Sequence, residues 1–404
     1  MHRKPGSLLG GTLLIGGSCV GAGILGLPIV TGLSGFYPSI IMLVAAWAFM
    51  TATALLVLEV NGWFTKDVNY ISMVGHSLGR WGQRLSWLLY LFLFYSLLVA
   101  YQAGIGIDIS STVIRHFSFH ISPWIGTFFF VLLFGCLLYS GTRTVDICNR
   151  VLMAGKILAY LGIVAVGLLH INPTLLKHTD AHYLFYSLPI LVISFGFHNM
   201  IPTITTYMAG DLKRVRIVII TGSLFALVVY LLWDLIVLGI VPIEGEYGII
   251  AILHAGQDAS QSIAGILGAS WVTHFAGGLA FFSLLTSLLL QSLALTHFLA
   301  DGLQTKDREP LSLLLLTLIP PFFFSILKPD IFFKALDFAG GICAVVLFGI
   351  LPVLMVWIGR YRKRTASTYQ MKGGKPVLAI IFLFAAFIFL FQLSTMAGLF
   401  PTAE

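Results

Sequence analysis

The sequence predicts an all-α polytopic membrane protein. It should carry eleven transmembrane helices: two inverted five-helix sets, each opening with a broken helix, and one extra helix. Three observations predict this. The chain has 404 residues, of which 58% are hydrophobic and only 10% charged, with a mean hydropathy of +0.97, a balance foreign to soluble domains of this length. Apolar runs of the ~20 residues needed to cross a hydrocarbon core recur along it. Two of those runs are interrupted at corresponding places in the two sets, which points to a binding site near the membrane midplane.

In chain order the spans are expected near 7–33, 36–61, 83–113, 121–140, 147–170, 183–209, 216–241, 271–300, 309–328, 331–358 and 377–400. Residues 1–404 then form one transmembrane domain, with 7–170 as the first repeat, 183–358 as its inverted counterpart and 377–400 as the extra helix. Runs longer than ~20 residues imply tilt or extension past the membrane. The first run has no small-residue cleavage site after a short core and leads directly into the second, so it is expected to be a retained span.

The first interruption is Gly16-Gly17-Ser18-Cys19-Val20-Gly21-Ala22-Gly23-Ile24-Leu25-Gly26-Leu27-Pro28, with five glycines in eleven residues. Each glycine disfavours helix by about 1 kcal/mol relative to alanine, and Pro28 removes a backbone donor. In lipid every backbone group must find a partner, so such a segment must line a polar cavity or be covered by protein. With Ser7 near the inner surface, Gly17 to Gly23 lie roughly 15–24 Å along the axis, about the middle of a core about 30 Å thick. The second interruption, Ser194-Phe195-Gly196-Phe197-His198-Asn199-Met200-Ile201-Pro202, opens the sixth span. Its Gly196 stands about 20 Å from Tyr183, and His198 and Asn199 would be costly against lipid. Close helix packing through contacts such as Gly17–Gly21 is the other use of such glycines. It accounts less well for two interruptions in matching helices.

Basic residues set the orientation. With the N-terminus inside, the inner segments hold eighteen: Arg3, Lys4, Lys66, Arg80, Arg84, Arg143, Arg150, Lys213, Arg214, Arg216, Lys306, Arg308, Arg360, Arg362, Lys363, Arg364, Lys372 and Lys375. The outer segments hold four, Arg115, Lys177, Lys328 and Lys334. This bias places the N-terminus in the cytoplasm and the C-terminus outside. It also makes the net charge of +7 a matter of topology, with no nucleic-acid patch. Residues 62–82 are amphipathic and expected along the inner surface, and residues 242–270, with Glu244, Glu246, His254 and Asp258, form the longest outer loop, a candidate cap over the access path.

Lys156 is the basic residue left within a span. It lies about 13 Å from the inner edge, where a lysine costs roughly 2.5–3.5 kcal/mol on insertion scales, so it is a functional candidate. Desolvation favours the neutral amine, which suits a group that releases a proton when access changes; snorkelling to the inner interface is the structural alternative. Cys19, Cys136, Cys148 and Cys343 lack metal or redox spacing and read as buried thiols. No cofactor, metal or nucleic-acid partner is expected. An enzyme would need a nucleophile with its base or a metal cluster, and a channel a polar ring repeated across a pore. A receptor would be expected to carry a soluble output segment. None of these patterns is found.

Several stretches together resemble the bacterial hydroxy and aromatic amino acid permeases of the APC superfamily. They are Ser7-Leu8-Leu9-Gly10-Gly11 through Gly21-Ala22-Gly23-Ile24, Leu58-Glu59, Asn149-Arg150 with Lys156, Ser194-Phe195-Gly196-Phe197-His198, and Lys372-Gly373-Gly374-Lys375-Pro376. The resemblance covers essentially the whole chain and is nearest to the tyrosine-specific and tryptophan-specific branch. It implies a LeuT-like five-plus-five fold and proton-coupled uptake of an aromatic amino acid, by a monomer in the bacterial inner membrane. It also implies that the Lys156 ammonium stands where sodium-coupled relatives of the fold hold an ion, facing carbonyls near Gly17 and the hydroxyls of Thr286 and Ser287. A serine or threonine permease of the same family is the alternative, a sodium-coupled carrier the third reading, and a non-transporting membrane receptor the reading from another class.

A zwitterionic substrate needs donors for its carboxylate and acceptors for its ammonium, and broken helices supply both. The expected donors are amides near Gly21, Ala22 and Gly23, and the expected acceptors are carbonyls near Ser18 and Phe195, beside Gly196. Phe195, Phe197, Tyr101 and Gln102 are candidates for an aromatic slot with one polar handle. His198 is expected to bond substrate or relay a proton, with satisfaction of the unwound backbone as its structural alternative. Departures from the relatives are Leu290-Gln291, Thr296-His297, Asp234 and Asp337. The charged ones are expected as helix-end residues paired with Lys or Arg, and together they bear on which amino acid is carried.

Overall fold

A backbone in hydrocarbon must satisfy its own N–H and C=O groups, and long apolar runs do so as helices. The computed structural model describes residues 5–21, 23–64, 68–117, 119–268, 270–303, 311–327, 331–365 and 368–399, and no strand occurs among them. The helices are α1 Leu8–Cys19, α2 Gly23–Gly32, α3 Phe36–Asn61, α4 Tyr70–Phe117, α5 Pro123–Tyr139, α6 Thr142–Gly167, α7 Leu188–Ser194 and α8 Ile201–Tyr207. They continue as α9 Leu212–Ile240, α10 Ile249–His254, α11 Ala259–Leu267, α12 Trp271–Gly302, α13 Leu311–Leu327, α14 Ile331–Phe338, α15 Leu351–Trp357 and α16 Gly374–Met396.

Among the described residues eight helical stretches are long and apolar enough to cross a membrane, and α1 with α2, bent by 59°, make a ninth if counted as one span. The chain is therefore a multi-pass membrane protein. The stretches expected near 121–140 and 309–328 are α5 and α13, of 17 residues each, about 26 Å long. The stretch from Ile331 to Lys363 is one continuous element in which α14 and α15 are joined by a π-helical segment, Ala339–Ile350.

The amphipathic segment expected over 62–82 is in part the start of α4. Helix begins at Tyr70, turns at Gly79, whose φ of 78° suits glycine, and runs on to Phe117. Trp81 stands 80% exposed beside this turn, with the Arg84 guanidinium 5.5 Å from its ring. The loop 242–270 contains α10 and α11, which pack on α2 and α12.

Four packings position the centre. α9 lies along α1, α2 and α3, α12 along α6, and α4 against α12 and α14, while α7 lies against the π-helical segment. The last approach is close because Gly340 leaves no room for a side chain beside the Pro189 carbonyl. At the end where α1 begins, Arg214 donates to the Gly6 carbonyl at 2.8 Å. There Leu212 also meets Gly62, and Trp63 lies over Gly359. Next to them Arg360 makes a bidentate pair with Glu59, at 2.6 and 2.5 Å, and reaches the Met371 carbonyl at 2.9 Å. Met371 N–H returns to Glu59 at 2.9 Å. Both charges are buried, and the hydrogen bonds that complete them are what makes such a pair tolerable. At the opposite end the Thr31 hydroxyl, 2.9 Å from the Leu27 carbonyl, sits 3.0 and 3.1 Å from the two oxygens of Asp234, its one proton shared among them. The pairing with Lys or Arg expected for Asp234 is thus replaced by a hydroxyl, because Asp234 faces α2 from a fully buried position on α9. Asp337 Oδ1 is buried without a hydrogen-bond partner among the described residues.

Candidate functional site

Between the two interruptions lies a cavity of about 480 Å³. The first interruption is narrower than the glycine run suggested. Gly16 and Gly17 remain helical in α1, and the helix ends at Cys19. Val20, with ψ of 69°, leaves the helix, and Gly21 N–H turns back to the Cys19 carbonyl at 2.7 Å. α2 resumes at Gly23. The second interruption follows Ser194. Gly196 N–H bonds to the Ile193 carbonyl at 3.0 Å and Phe197 N–H to the Phe195 carbonyl at 3.1 Å before α8 starts at Ile201.

Lys156, 4% exposed on α6, donates through Nζ to the Val20 carbonyl at 2.6 Å and to Thr286 Oγ1 at 3.4 Å. The carbonyl that meets it is three residues beyond Gly17, since Val20 is where the helix ladder is left open. The structure brings Gly17, Ser18, Gly21, Gly23, Tyr101, Gly196, Lys156, Thr286 and Ser287 onto the cavity wall. Ala22 lies outside the described residues.

Four expected site residues do not line this wall. Gln102 donates to the Leu318 carbonyl at 3.4 Å, between α4 and α13. Phe195 is fully buried with its ring 5.2 Å from that of Tyr230, and Phe197 is fully buried as well. His198 stacks on Phe348 at 4.8 Å and pairs its Nε2 with Thr53 Oγ1 at 2.8 Å. Thr53 also bonds to the Phe49 and Met50 carbonyls at 3.2 and 3.0 Å. Its hydroxyl proton is thereby engaged, and His198 Nε2 is the donor. Its Nδ1 is buried without a hydrogen-bond partner among the described residues.

The lining holds two kinds of group: the aromatic rings of Tyr90, Phe94 and Tyr101 of α4 and of Phe348 of the π-helical segment, and the polar side chains of Lys156, Asn149, Ser194 and Gln291 with the opened backbone. Toward the end where α1 begins, the wall includes Leu13 and Leu14, which are 52% and 44% exposed. Sequence reasoning missed Tyr90, Phe94 and Phe348 as lining groups, since single aromatics in an apolar chain carry no signal. It also missed Tyr230, whose hydroxyl reaches the Cys19 carbonyl at 2.6 Å and the Ser194 carbonyl at 2.9 Å. A signal was present there. Tyr230, Trp233 and Asp234 fall at i, i+3 and i+4, one helix face, and each bonds to the first span, Trp233 through the Ile24 carbonyl at 2.7 Å. No cluster of metal-ligating side chains occurs among the described residues.

Two interrupted helices closing on one cavity inside a multi-pass helical bundle are the arrangement in which many membrane transporters hold their substrate. Comparison with known proteins identifies the family. The family model for the tryptophan/tyrosine permease family matches residues 4–392, and the chain belongs to that family. It is 29% identical over 401 residues to the tyrosine-specific transport system 1 of Haemophilus influenzae, covering 97% of this chain and 98% of that one. It is 30% identical to a tryptophan-specific transport protein of Pseudomonas aeruginosa, covering 95% and 93% of the two chains. The low affinity tryptophan permease of Escherichia coli is 24% identical, with 96% and 95% covered. These relatives are transport proteins and not enzymes.

Proposed function

We propose that this protein is a secondary active transporter that imports aromatic amino acids, tyrosine foremost and tryptophan as the other candidate, by proton symport with alternating access. The observation that carries the reading is the Lys156 ammonium, held against the open Val20 carbonyl at 2.6 Å beside the cavity. A titratable cation placed on the break itself can exchange its proton as the break changes access. The cavity volume, about 480 Å³ with four aromatic rings in its lining, suits a tyrosine or tryptophan side chain better than that of serine or threonine. The relatives' names support the same substrate class.

In this reading the spans are eleven, in a LeuT-like five-plus-five inverted arrangement of residues 7–170 and 183–358 with 377–400 added. The N-terminus is cytoplasmic, the C-terminus periplasmic, and the unit is a monomer in the bacterial inner membrane. Leu13, Leu14, Asn149 and Ala294, all toward the inner ends of their helices, then make the cavity an inward-facing one. Ser18, Gly21, Ala22, Gly23, Tyr101 and Gly196 serve the substrate, and Gly17, Thr286 and Ser287 surround the coupling lysine. Gln102, Phe195, Phe197 and His198 back the site in this conformation. The test is uptake of labelled tyrosine into proteoliposomes under an imposed inward proton gradient without sodium, with tryptophan and serine as competitors. Gradient-driven accumulation that collapses in Lys156→Ala supports the reading. A sodium requirement, or full activity in the variant, sinks the coupling role. Competition by serine alone moves the substrate to the hydroxy amino acids.

A further inference from the structure

The Gln291 side chain lines the cavity from α12, and its amide is hydrogen-bonded to none of the described residues. Two sets of contacts fix its level. Gly155 on α6 packs against Phe282 on α12 and Gly162 against Phe275, so these two helices run antiparallel in a fixed register. Carried six residues on from the Gly155 contact, that register sets Asn149 opposite Leu288, within a turn of Gln291. Asn149 lines the same cavity, so this level carries an amide on both helices. Against α4, Gly104 stands beside Leu284, and the rings of Phe94 and Phe298 are 5.6 Å apart. Gln291 lies midway, seven residues from each of those α12 positions. The α4 residues that line the cavity over that stretch are Phe94, Leu97 and Tyr101. The amide also stands at a set distance from the first break. Ser287 Oγ would be 3.1 Å from a Cβ on Gly21, and Gln291 follows Ser287 by one turn, about 6 Å along the axis. That is the reach of a tyrosine side chain from its α-carbon to its hydroxyl.

We propose that Gln291 is a specificity-determining residue. Its amide, on the level shared with Asn149, reads the polar atom at the far edge of the substrate's ring and ranks tyrosine above tryptophan and tryptophan above phenylalanine. Hydrogen-bond chemistry gives the order. A phenol donates to Oε1 and its oxygen accepts from Nε2, an indole N–H only donates, and a phenyl edge does neither. An amide closed against a phenyl edge gives up its water and gains no partner, which is unfavourable. The inference rests on the aromatic amino acid reading and adds what distinguishes one ring from another.

The experiment sets unlabelled tyrosine, tryptophan and phenylalanine against uptake of labelled tyrosine in proteoliposomes of the full-length protein. Labelled phenylalanine is run in parallel, so that a variant blind to tyrosine is still read. The wild type should prefer tyrosine over phenylalanine by about tenfold or more, the scale of hydrogen bonds left unmade in a closed site, with tryptophan between them. Gln291→Met keeps the length of the side chain without its amide, and Gln291→Leu removes the amide with a shorter chain. In both, the preference for tyrosine over phenylalanine should fall by about tenfold. Asn199→Ala is the control. Asn199 lines the cavity too, but it belongs to the second break, and the helix that follows it, α8, packs on α3 and α9. It should keep the wild-type preference. A wild type that takes phenylalanine as well as tyrosine, an unchanged preference or equal weakening of all three amino acids in the Gln291 variants, or the same fall in Asn199→Ala overturns the proposal. Absence of aromatic uptake by the wild type would instead overturn the permease reading on which it rests.

Discussion

At the first break the backbone opens between Cys19 and Gly23 and is served by groups from other helices. These are the Lys156 ammonium on Val20, the Tyr230 hydroxyl on Cys19 and the Trp233 N–H on Ile24. At the second break, between Ser194 and Ile201, the backbone largely serves itself through short turns. Its side chains are locked instead, Phe195 against Tyr230 and His198 between Phe348 and Thr53. One break is chemically open and glycine-built. The other is sterically braced. In the proposed symport reading the titratable charge stands at the open one, where the Val20 carbonyl is already free of the helix ladder. The braced one is suited to hold an aromatic wall in place.

This contrast can be broken in order of expected effect. Lys156→Gln keeps a donor for the Val20 carbonyl but no titratable charge. Binding of labelled substrate should persist while gradient-driven accumulation is lost, read by scintillation proximity and uptake on the same preparation. Substantial accumulation would place coupling elsewhere. At the braced break His198→Ala removes a buried ring together with its stacking on Phe348 and its bond to Thr53. A loss of about 2–4 kcal/mol in stability is expected, read as a fall in unfolding temperature in detergent. His198→Gln, which restores a donor toward Thr53, should recover part of it. Full stability with abolished uptake in His198→Gln would instead give the ring a direct role in transport.

Gly23→Ala sits where the breaks touch, with the new Cβ 2.9 Å from Ser194 Oγ. A several-fold rise in KM is expected, relieved when Ser194→Ala is added. No relief would show that the backbone and not the hydroxyl is disturbed. Gly17→Ala should have the least effect. Its Cβ meets only the Met153 methyl, at 3.3 Å, and the position is helical, so alanine favours the helix by about 1 kcal/mol. Uptake near the wild-type level with a slightly higher unfolding temperature is expected. A loss of uptake there would extend the open region back into α1.

The open break was the more legible one in the sequence. Glycine density with Pro28 marks a backbone that resists helix, and a lysine inside an apolar run is conspicuous because lipid penalises it. The helices were legible for the same reason, as uninterrupted apolar runs. The exact carbonyl facing Lys156 was not, because the point at which α1 stops is set by Tyr230 and Lys156 arriving from distant helices. The braced break showed its Gly196 and His198, but not that Phe195, Phe197 and His198 turn from the cavity. Their direction depends on Phe348 and Tyr230, aromatics indistinguishable in sequence from the other packing residues. Residues 62–82 were legible as amphipathic, but the bend within them was not. Amphipathicity marked a surface segment, and Gly79, with its φ of 78°, is the kink between the helical stretch from Tyr70 and the long helix that follows.

The clasp of Glu59, Arg360 and Met371 carries a consequence for how the chain is made. Glu59 and Arg360 are separated by 301 residues, roughly 15–60 s of synthesis at ordinary elongation rates. For that interval the carboxylate at the end of α3 has no guanidinium to meet, and the first half of the bundle waits unfastened. A chain interrupted before Arg360 would thus leave a membrane-embedded half with its acid unpaired, whereas completing residues 360–371 fastens the end of α3 to the segment between α15 and α16 in one step.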